Sequence, residues 1–137
     1  MSASGSVVDA LAQVLEAADA ALAGKVERGF QLPGALSSGQ FPHLFLTGAG
    51  TTPLEDVEVL AHLQERVTFT ISAILYTQGG TQEETLLLAD ALRAAIRADR
   101  TLGGVVTTSH VSDLTLEENP DHPIRAVELV VLALQEP

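Results

Sequence analysis

The chain has 137 residues, a length typical of one domain, and it contains no cysteine, which excludes disulfides, cysteine-ligated zinc and a thiol nucleophile. Eighteen acidic residues against seven basic ones give a net charge of −11, which disfavours binding to nucleic acid or anionic membranes. No basic-then-apolar leader and no apolar run long enough to cross a bilayer are visible. We therefore expect a single domain over residues 1–137 that is cytosolic at synthesis and has no membrane partner.

The first predicted element is an amphipathic helix over about residues 7–23. Ser6 is a candidate N-cap, and Gly24 is expected to end the helix. The apolar residues recur at the helical period and form one stripe: Val7, Val8, Leu11, Val14, Leu15, Ala18 and Leu22. Lys25–Gln40 has no such period and carries several glycines, so it is predicted to be a loop.

Three strands are predicted next. Phe41–Thr47 is short, whereas Glu55–Gln64 and Arg66–Tyr76 alternate apolar and polar residues, as half-covered strands do. Gly48–Pro53 follows a strand as a phosphate-binding loop would, but no helix opens after it and no lysine follows. A tight turn between strands is the favoured interpretation.

The second helix is predicted over residues 82–100, opened by a capping box at Thr81–Glu84 and stopped by Gly103-Gly104. Its expected buried stripe consists of Leu88, Ala91, Leu92, Ala95 and Ile96. Leu86 falls on the polar side of this helix and Leu87 at the margin. Both are therefore candidates for burial against another subunit.

Val105–Val111 and Ile124–Leu134 are the last predicted strands, joined through an acidic loop that begins at Glu117. The final strand is apolar on both faces, with Val127, Leu129 and Val131 opposing a second apolar set: Val130, Leu132 and Leu134. Such a strand must be covered on both sides, by helices on one and by a neighbouring subunit on the other. Val127, Leu129 and Val131 complete the set of candidate interface residues.

This order of elements favours an α+β fold: a mostly antiparallel five-stranded sheet with two helices packed on one face. It lacks the regular strand-helix alternation of a doubly wound parallel sheet. The high mean hydropathy, +0.25, has two readings that we weigh equally. Either some apolar side chains face partners, or abundant alanine raises the index.

No motif for catalysis or for a cofactor is found. His43, His62, His110 and His122 have no metal-site spacing, although His62 and His110 could meet across a sheet. Glu117, Asn119, Asp121 and Glu128 match four ligand positions of a calcium loop. However, His122 replaces the required glycine, so a solvated acidic loop is favoured over an ion site. No serine-based motif is present, and we expect no enzyme, no cofactor and no bound metal.

Three segments together resemble small tail proteins of long-tailed bacteriophages: the N-terminal helix, Phe41–Leu46 and Arg66–Ile71. The strongest part is Ala91–Val106, a helix that ends in a Leu-Gly-Gly turn before further strands. In this layout, over about residues 6–135, the chain resembles the tail terminator family, which includes the lambda-type minor tail protein and counterparts in gene transfer agents.

The resemblance implies a ring, usually a hexamer, that sits on the last ring of the tail tube protein in the neck of the virion. Such a ring stops tube polymerisation and presents the surface that joins the head-side connector or stopper protein. DNA would pass through it without specific binding, and an acidic wall would avoid trapping that polyanion. An ordinary solubilising surface explains the charge equally well. The family carries no site motif, so no functional residue is transferred from it.

Two other functions are weighed. Another head-tail connector, such as the stopper, is a small ring-forming subunit too and is poorly separated by sequence. A small-ligand-binding α+β dimer would need polar side chains between sheet and helices, whereas the predicted inward sets are nearly all aliphatic.

Overall fold

The computed structural model describes residues 3–29, 38–53, 67–118 and 123–135. Two helices, α1 (Ala3–Glu16) and α2 (Gln82–Ala98), lie in these ranges. The strands are β1 (Val26–Arg28), β2 (His43–Pro53), β3 (Val67–Gln78), β4 (Thr108–Glu118) and β5 (Ile124–Gln135). Short 3-10 turns at Ala20–Leu22 and Ser38–Gln40 lie on either side of β1 in the chain.

The strands form one sheet in the order β1-β2-β3-β5-β4. β1 runs parallel to β2, whereas the other neighbouring pairs are antiparallel. The α+β class is confirmed, but the expected mostly antiparallel sheet is corrected to a mixed one. The difference arises because β1, which the sequence reading assigned to a loop, pairs with β2 in the same direction.

Both helices pack on the same face of the sheet, as predicted. α1 lies over β1, β2 and β3, α2 lies over β4 and β5, and the two helices contact each other. We call this the inner face. Its fully buried strand residues follow the two-residue period: Leu44, Leu46, Phe69, Ile71, Ala73, Leu75, Val127, Leu129, Val131 and Ala133. Burying one such leucine or phenylalanine contributes about 1.5–3 kcal/mol before entropy is counted.

α1 covers its half of the inner face with Val7, Leu11 and Leu15, which are fully buried as the helical spacing predicts. The helix begins at Ala3, so Ser6 lies inside it and is not its N-cap. It ends at Glu16, earlier than predicted, because Asp19 opens a separate 3-10 turn by accepting a hydrogen bond from the Ala21 amide.

α2 begins where the sequence places it. Thr81 is the N-cap, and its Oγ1 accepts a hydrogen bond from the Glu84 amide at 3.2 Å. The buried stripe shares only Leu92 and Ile96 with the predicted one: it consists of Thr85, Ala89, Leu92 and Ile96. Thr85 is tolerated in the core because its hydroxyl is hydrogen-bonded to that of Thr77 at 2.8 Å.

The turn after α2 returns the chain to the sheet. Leu102, Gly103 and Gly104 have φ angles of 51°, 73° and 91°, in the left-handed region. The Asp99 carboxylate accepts the Gly103 amide and fixes the turn. Leu102 is buried in the core, which offsets the cost of roughly 1–2 kcal/mol that a leucine incurs in this backbone conformation.

Two strand predictions are corrected. Gly48–Pro53 is not a turn but the second half of β2, and it pairs with β3 after a bulge between Gly48 and Gly50. β4 starts at Thr108 and runs to Glu118, so Glu117 belongs to the strand and not to the loop. The strand predicted over residues 55–64 lies outside the described residues.

Candidate functional site

The predicted interface residues fall into two groups in the structure. Val127, Leu129 and Val131 have no exposed surface and lie on the inner face beneath the helices. A second subunit cannot reach them in this fold, so these three are removed from the interface candidates. The reason is the strand register, because pairing with β3 sets this side of β5 opposite Ala73, Ile71 and Leu75 in the core.

Leu86 and Leu87 remain candidates, with their roles exchanged. Leu87 is 61% exposed and points away from the sheet, whereas Leu86 is half-buried. Among the described residues Leu87 is the only large hydrophobic side chain that is so exposed. Contact with another apolar surface would remove this exposed side chain from water, which is energetically favourable.

The outer face of the sheet, opposite the helices, is the second candidate surface. β5 presents Val130, Leu132 and Leu134 there, all half-buried. Around them lie Thr68 and Thr70 of β3 and Thr108 and His110 of β4. A hollow of about 280 Å³ is lined by Thr68, Thr108, His110, Leu132 and Leu134. This is the second apolar set of β5 in the sequence, whereas the predicted interface residues Val127, Leu129 and Val131 lie on the opposite side of the strand.

The other end of the outer face carries a small aromatic group. Phe45 is 1% exposed, and its ring lies 4.7 Å from that of His43 and 5.9 Å from that of Tyr76. His43 Nε2 lies 3.2 Å from Glu27 Oε2, an ion-pair distance once the ring is protonated. The two atoms do not meet hydrogen-bond geometry. This group therefore packs on the outer face beyond the main core.

The phenol of Tyr76, in this aromatic group, has a shifted pKa. Burial raises the pKa of its phenol above the ordinary 10.0, and the nearby Glu117 carboxylate raises it further. Tyr76 is also the only tyrosine, and the chain has no tryptophan. Its ionisation can therefore be followed without interference.

We expect the absorbance of the Tyr76 phenolate to titrate above pH 10 in the folded protein and near 10 in denaturant. The unfolded chain loses this proton at a lower pH than the folded protein does. The free energy of unfolding should therefore fall as the pH rises from the pKa of the unfolded chain to the raised pKa of the folded protein. Glu117→Gln should lower the midpoint only partly, since burial is the larger cause, and the remote Glu83→Gln should not move it. A folded midpoint at 10 would contradict the assignment.

No described cluster has the composition of a metal site. Three or more histidine or acidic side chains do not converge anywhere within residues 3–29, 38–53, 67–118 and 123–135. Glu117 and Glu128 lie in β4 and β5, while Asn119 and Asp121 of the calcium-like spacing lie outside the described residues. Of the histidines, His43 is buried and His110 is exposed; His62 and His122 lie outside the described residues.

One further hollow, of about 270 Å³, lies near the start of α2. It is lined by Phe41, Pro42, Thr77, Gln78, Gly79, Gly80, Glu84, Thr85 and Leu88. Ligand pockets usually measure roughly 300–1,000 Å³ and carry converging polar groups. Thr77 and Thr85 already bond to each other, so this hollow offers little to a small molecule. No described helix is long and apolar enough to span a membrane.

No family model matches this chain, and no curated protein matches it. A solved structure does: the chain is similar to a chain in the virion of a native gene transfer agent (GTA) particle. The two share a TM-score of 0.60 and 14% sequence identity, and the likeness covers 94% of this chain and 93% of the other. At that identity the comparison establishes a common fold over nearly the whole length of both chains.

Proposed function

We propose that this chain is a structural protein of a phage or phage-derived virion. The observation that carries the proposal is the fold shared end to end with a chain of a GTA virion. The likeness covers 94% of this chain and 93% of the other, so it concerns the whole domain and not a local motif. The surfaces support the same class, since the described residues offer apolar side chains that other subunits could cover.

The specific role we propose is that of a tail terminator. Copies of the chain would form a closed ring, a hexamer by resemblance to that family, on the last ring of the tail tube protein. The ring would stop tube polymerisation and join the head-side connector or stopper protein in the neck. The net charge of −11 suits a passage through which DNA moves without being bound.

A closed ring of one chain needs two unlike surfaces that complement each other. We assign one of them to the outer face of the sheet around Val130, Leu132 and Leu134. These apolar side chains are half-buried on the outer face. Because β5 is paired with a strand on each side, the sheet holds this surface rigid. Covering it would remove apolar area from water in each subunit.

The test is deletion of the gene in a strain that produces the particles, with complementation by variants and electron microscopy of the products. A terminator predicts tails longer than normal and unjoined heads when the chain is missing. Leu132→Glu should reproduce that phenotype, whereas Gln13→Glu, an equal charge change on the exposed side of α1, should complement fully.

The same fold likeness fits a neck stopper, and the phenotype separates the two. Loss of a stopper predicts tails of normal length with heads that lose their DNA. Normal particles after deletion would contradict both roles.

Rings should also form more readily at higher salt, because repulsion among copies of charge −11 opposes closure at low ionic strength.

A further inference from the structure

The exposed side of α2 is divided into an acidic half and a basic half. Glu83, Glu84 and Asp90 lie in its first part, and Arg93 and Arg97 in its second, with Arg100 just beyond its end. The three arginines are notable because the whole chain has only seven basic residues. Within the described part of the chain, Glu83, Glu84, Arg97 and Arg100 form no ion pair.

Between these charges runs an apolar stripe. Leu87, Ala94 and Ala98 are exposed and lie opposite the buried residues Ala89 and Ile96, as a helix with 3.6 residues per turn requires. Leu87 is the large side chain of the stripe, and the two small alanine side chains lie about two and three turns further along the helix. A second helix could therefore approach closely and receive Leu87 over an alanine.

The charges lie in a row on one flank of this stripe. Glu83, Asp90 and Arg97 follow one another at seven-residue intervals, which keeps them on nearly the same side of the helix. When two identical helices pack antiparallel about a two-fold axis, a flank meets the same flank of its copy, reversed in direction. Glu83 of one copy then faces Arg97 of the other.

The remaining members fit the same pairing. Leu87 of one copy falls opposite Ala94 of the other, and the axis passes near Ala91. Asp90 comes close to its own copy there, but Arg93 already lies 3.3 Å from it and supplies the balancing charge. A parallel two-fold arrangement would instead bring this flank against the opposite flank of the copy, so Glu83 and Arg97 would not face each other.

We propose that the exposed face of α2 is a self-recognition surface that binds α2 of a second copy of this chain in antiparallel orientation. The contact is two-fold, so it cannot by itself close a ring, and it is independent of the proposed terminator role. It lies on the opposite side of the molecule from the outer face of the sheet. It would keep Leu87 covered in the free protein.

Analytical ultracentrifugation of the Leu132→Glu protein tests the dimer with the proposed ring contact removed. Glu83→Arg in that background should raise the dimer dissociation constant about tenfold, because it removes two attractions and creates two repulsions. Glu128→Arg is the matched control on the outer face and should leave the constant unchanged. Leu87→Ala should also weaken the dimer about tenfold.

A second experiment reverses the charges at one end of α2 in one variant and at the other end in another, and then mixes the two proteins. Glu83→Arg/Glu84→Arg and Arg97→Glu/Arg100→Glu should each be monomeric, and their mixture should form a heterodimer. Because the chain has no cysteine, Ala91→Cys should form a disulfide-linked dimer on oxidation, whereas Ser112→Cys on the β4 edge should not.

A wild-type monomer at every concentration would overturn the proposal, as would a mixture that stays monomeric or cross-linking through Ser112→Cys alone. Each of these results leaves the tail phenotype of the deletion strain untouched. Conversely, normal particles from that strain would remove the terminator role without affecting the dimer.

Discussion

Leu129→Ala is expected to lower the free energy of unfolding by about 2–5 kcal/mol, the range for a leucine removed from a close-packed core. Leu129 has no exposed surface and lies beneath the helices, between Ala73 of β3 and Leu114 of β4 in the sheet. The truncation loses buried apolar area and leaves a cavity that the two neighbouring strands cannot close. Urea denaturation followed by circular dichroism measures the change.

Val130→Ala is the control for this prediction. It removes a smaller group from the next residue of the same strand, but on the outer face, where the side chain is half-buried. We expect a loss of about 1 kcal/mol or less. Equal losses for the two variants, or a Leu129→Ala protein that is stable but fails to assemble, would return Leu129 to the interface.

The choice of face on β5 could not be made from the sequence. Both of its sides are apolar, so alternation gives two sets and does not say which one the helices cover. The decision comes from the register with β3, because Leu129 pairs with Ala73 and Val130 with Ser72. In the alternation of Arg66–Tyr76, Ala73 belongs to the apolar set and Ser72 to the polar set. The face therefore depends on which residues of the two strands are paired, and neither strand's own sequence specifies that register.

The sequence predicts α2 well and β1 poorly, because only α2 is specified by residues that are neighbours in the chain. The start of α2 depends on Thr81 and the glutamates that follow, all within one turn, so the information is contiguous. β1 has only three residues, and it is a strand because the Lys25 carbonyl and the Gly29 amide bond across to β2. Nothing in its own sequence specifies that partner.

Gly48–Pro53 misled for a related reason. Two glycines and a proline are typical of a turn, yet here they accompany a bulge in a strand that remains paired with β3. On the surface of α2, the helical period predicted Leu86 on the polar side and Leu87 at the margin, whereas in the structure Leu87 is the exposed one. The sequence also shows the seven-residue spacing of the charges on α2, but only the structure shows that they flank the exposed side of the helix.

Arg125→Met is expected to lower the free energy of unfolding by about 1.5–3 kcal/mol, the range for hydrogen bonds to a charged group. Arg125 Nε lies 2.7 Å from Glu118 Oε2, and its Nη1 donates to the carbonyls of Gly79 and Gly80 at 3.0 and 3.1 Å. The side chain is only 19% exposed. It joins the β4–β5 hairpin to the turn that opens α2, and methionine keeps an aliphatic stem of similar size without the guanidinium donors.

Two variants separate this role from that of an ordinary ion pair. Arg28→Met breaks the Arg28–Asp9 pair, which has the same 2.7 Å distance, but those side chains are 51% and 37% exposed, so we expect a loss below about 1 kcal/mol. Arg125→Lys keeps the charge but cannot reach three acceptors, and its free energy of unfolding should fall between those of wild type and Arg125→Met.

In Arg125→Met, hydrogen exchange should accelerate first at the amides of Gly79 and of the first turn of α2, since the Gly79 amide also donates a hydrogen bond to the Pro123 carbonyl at the start of β5. Equal losses for Arg28→Met and Arg125→Met would mean that the link to the glycine carbonyls contributes nothing, and the position of α2 would then depend on its buried stripe alone.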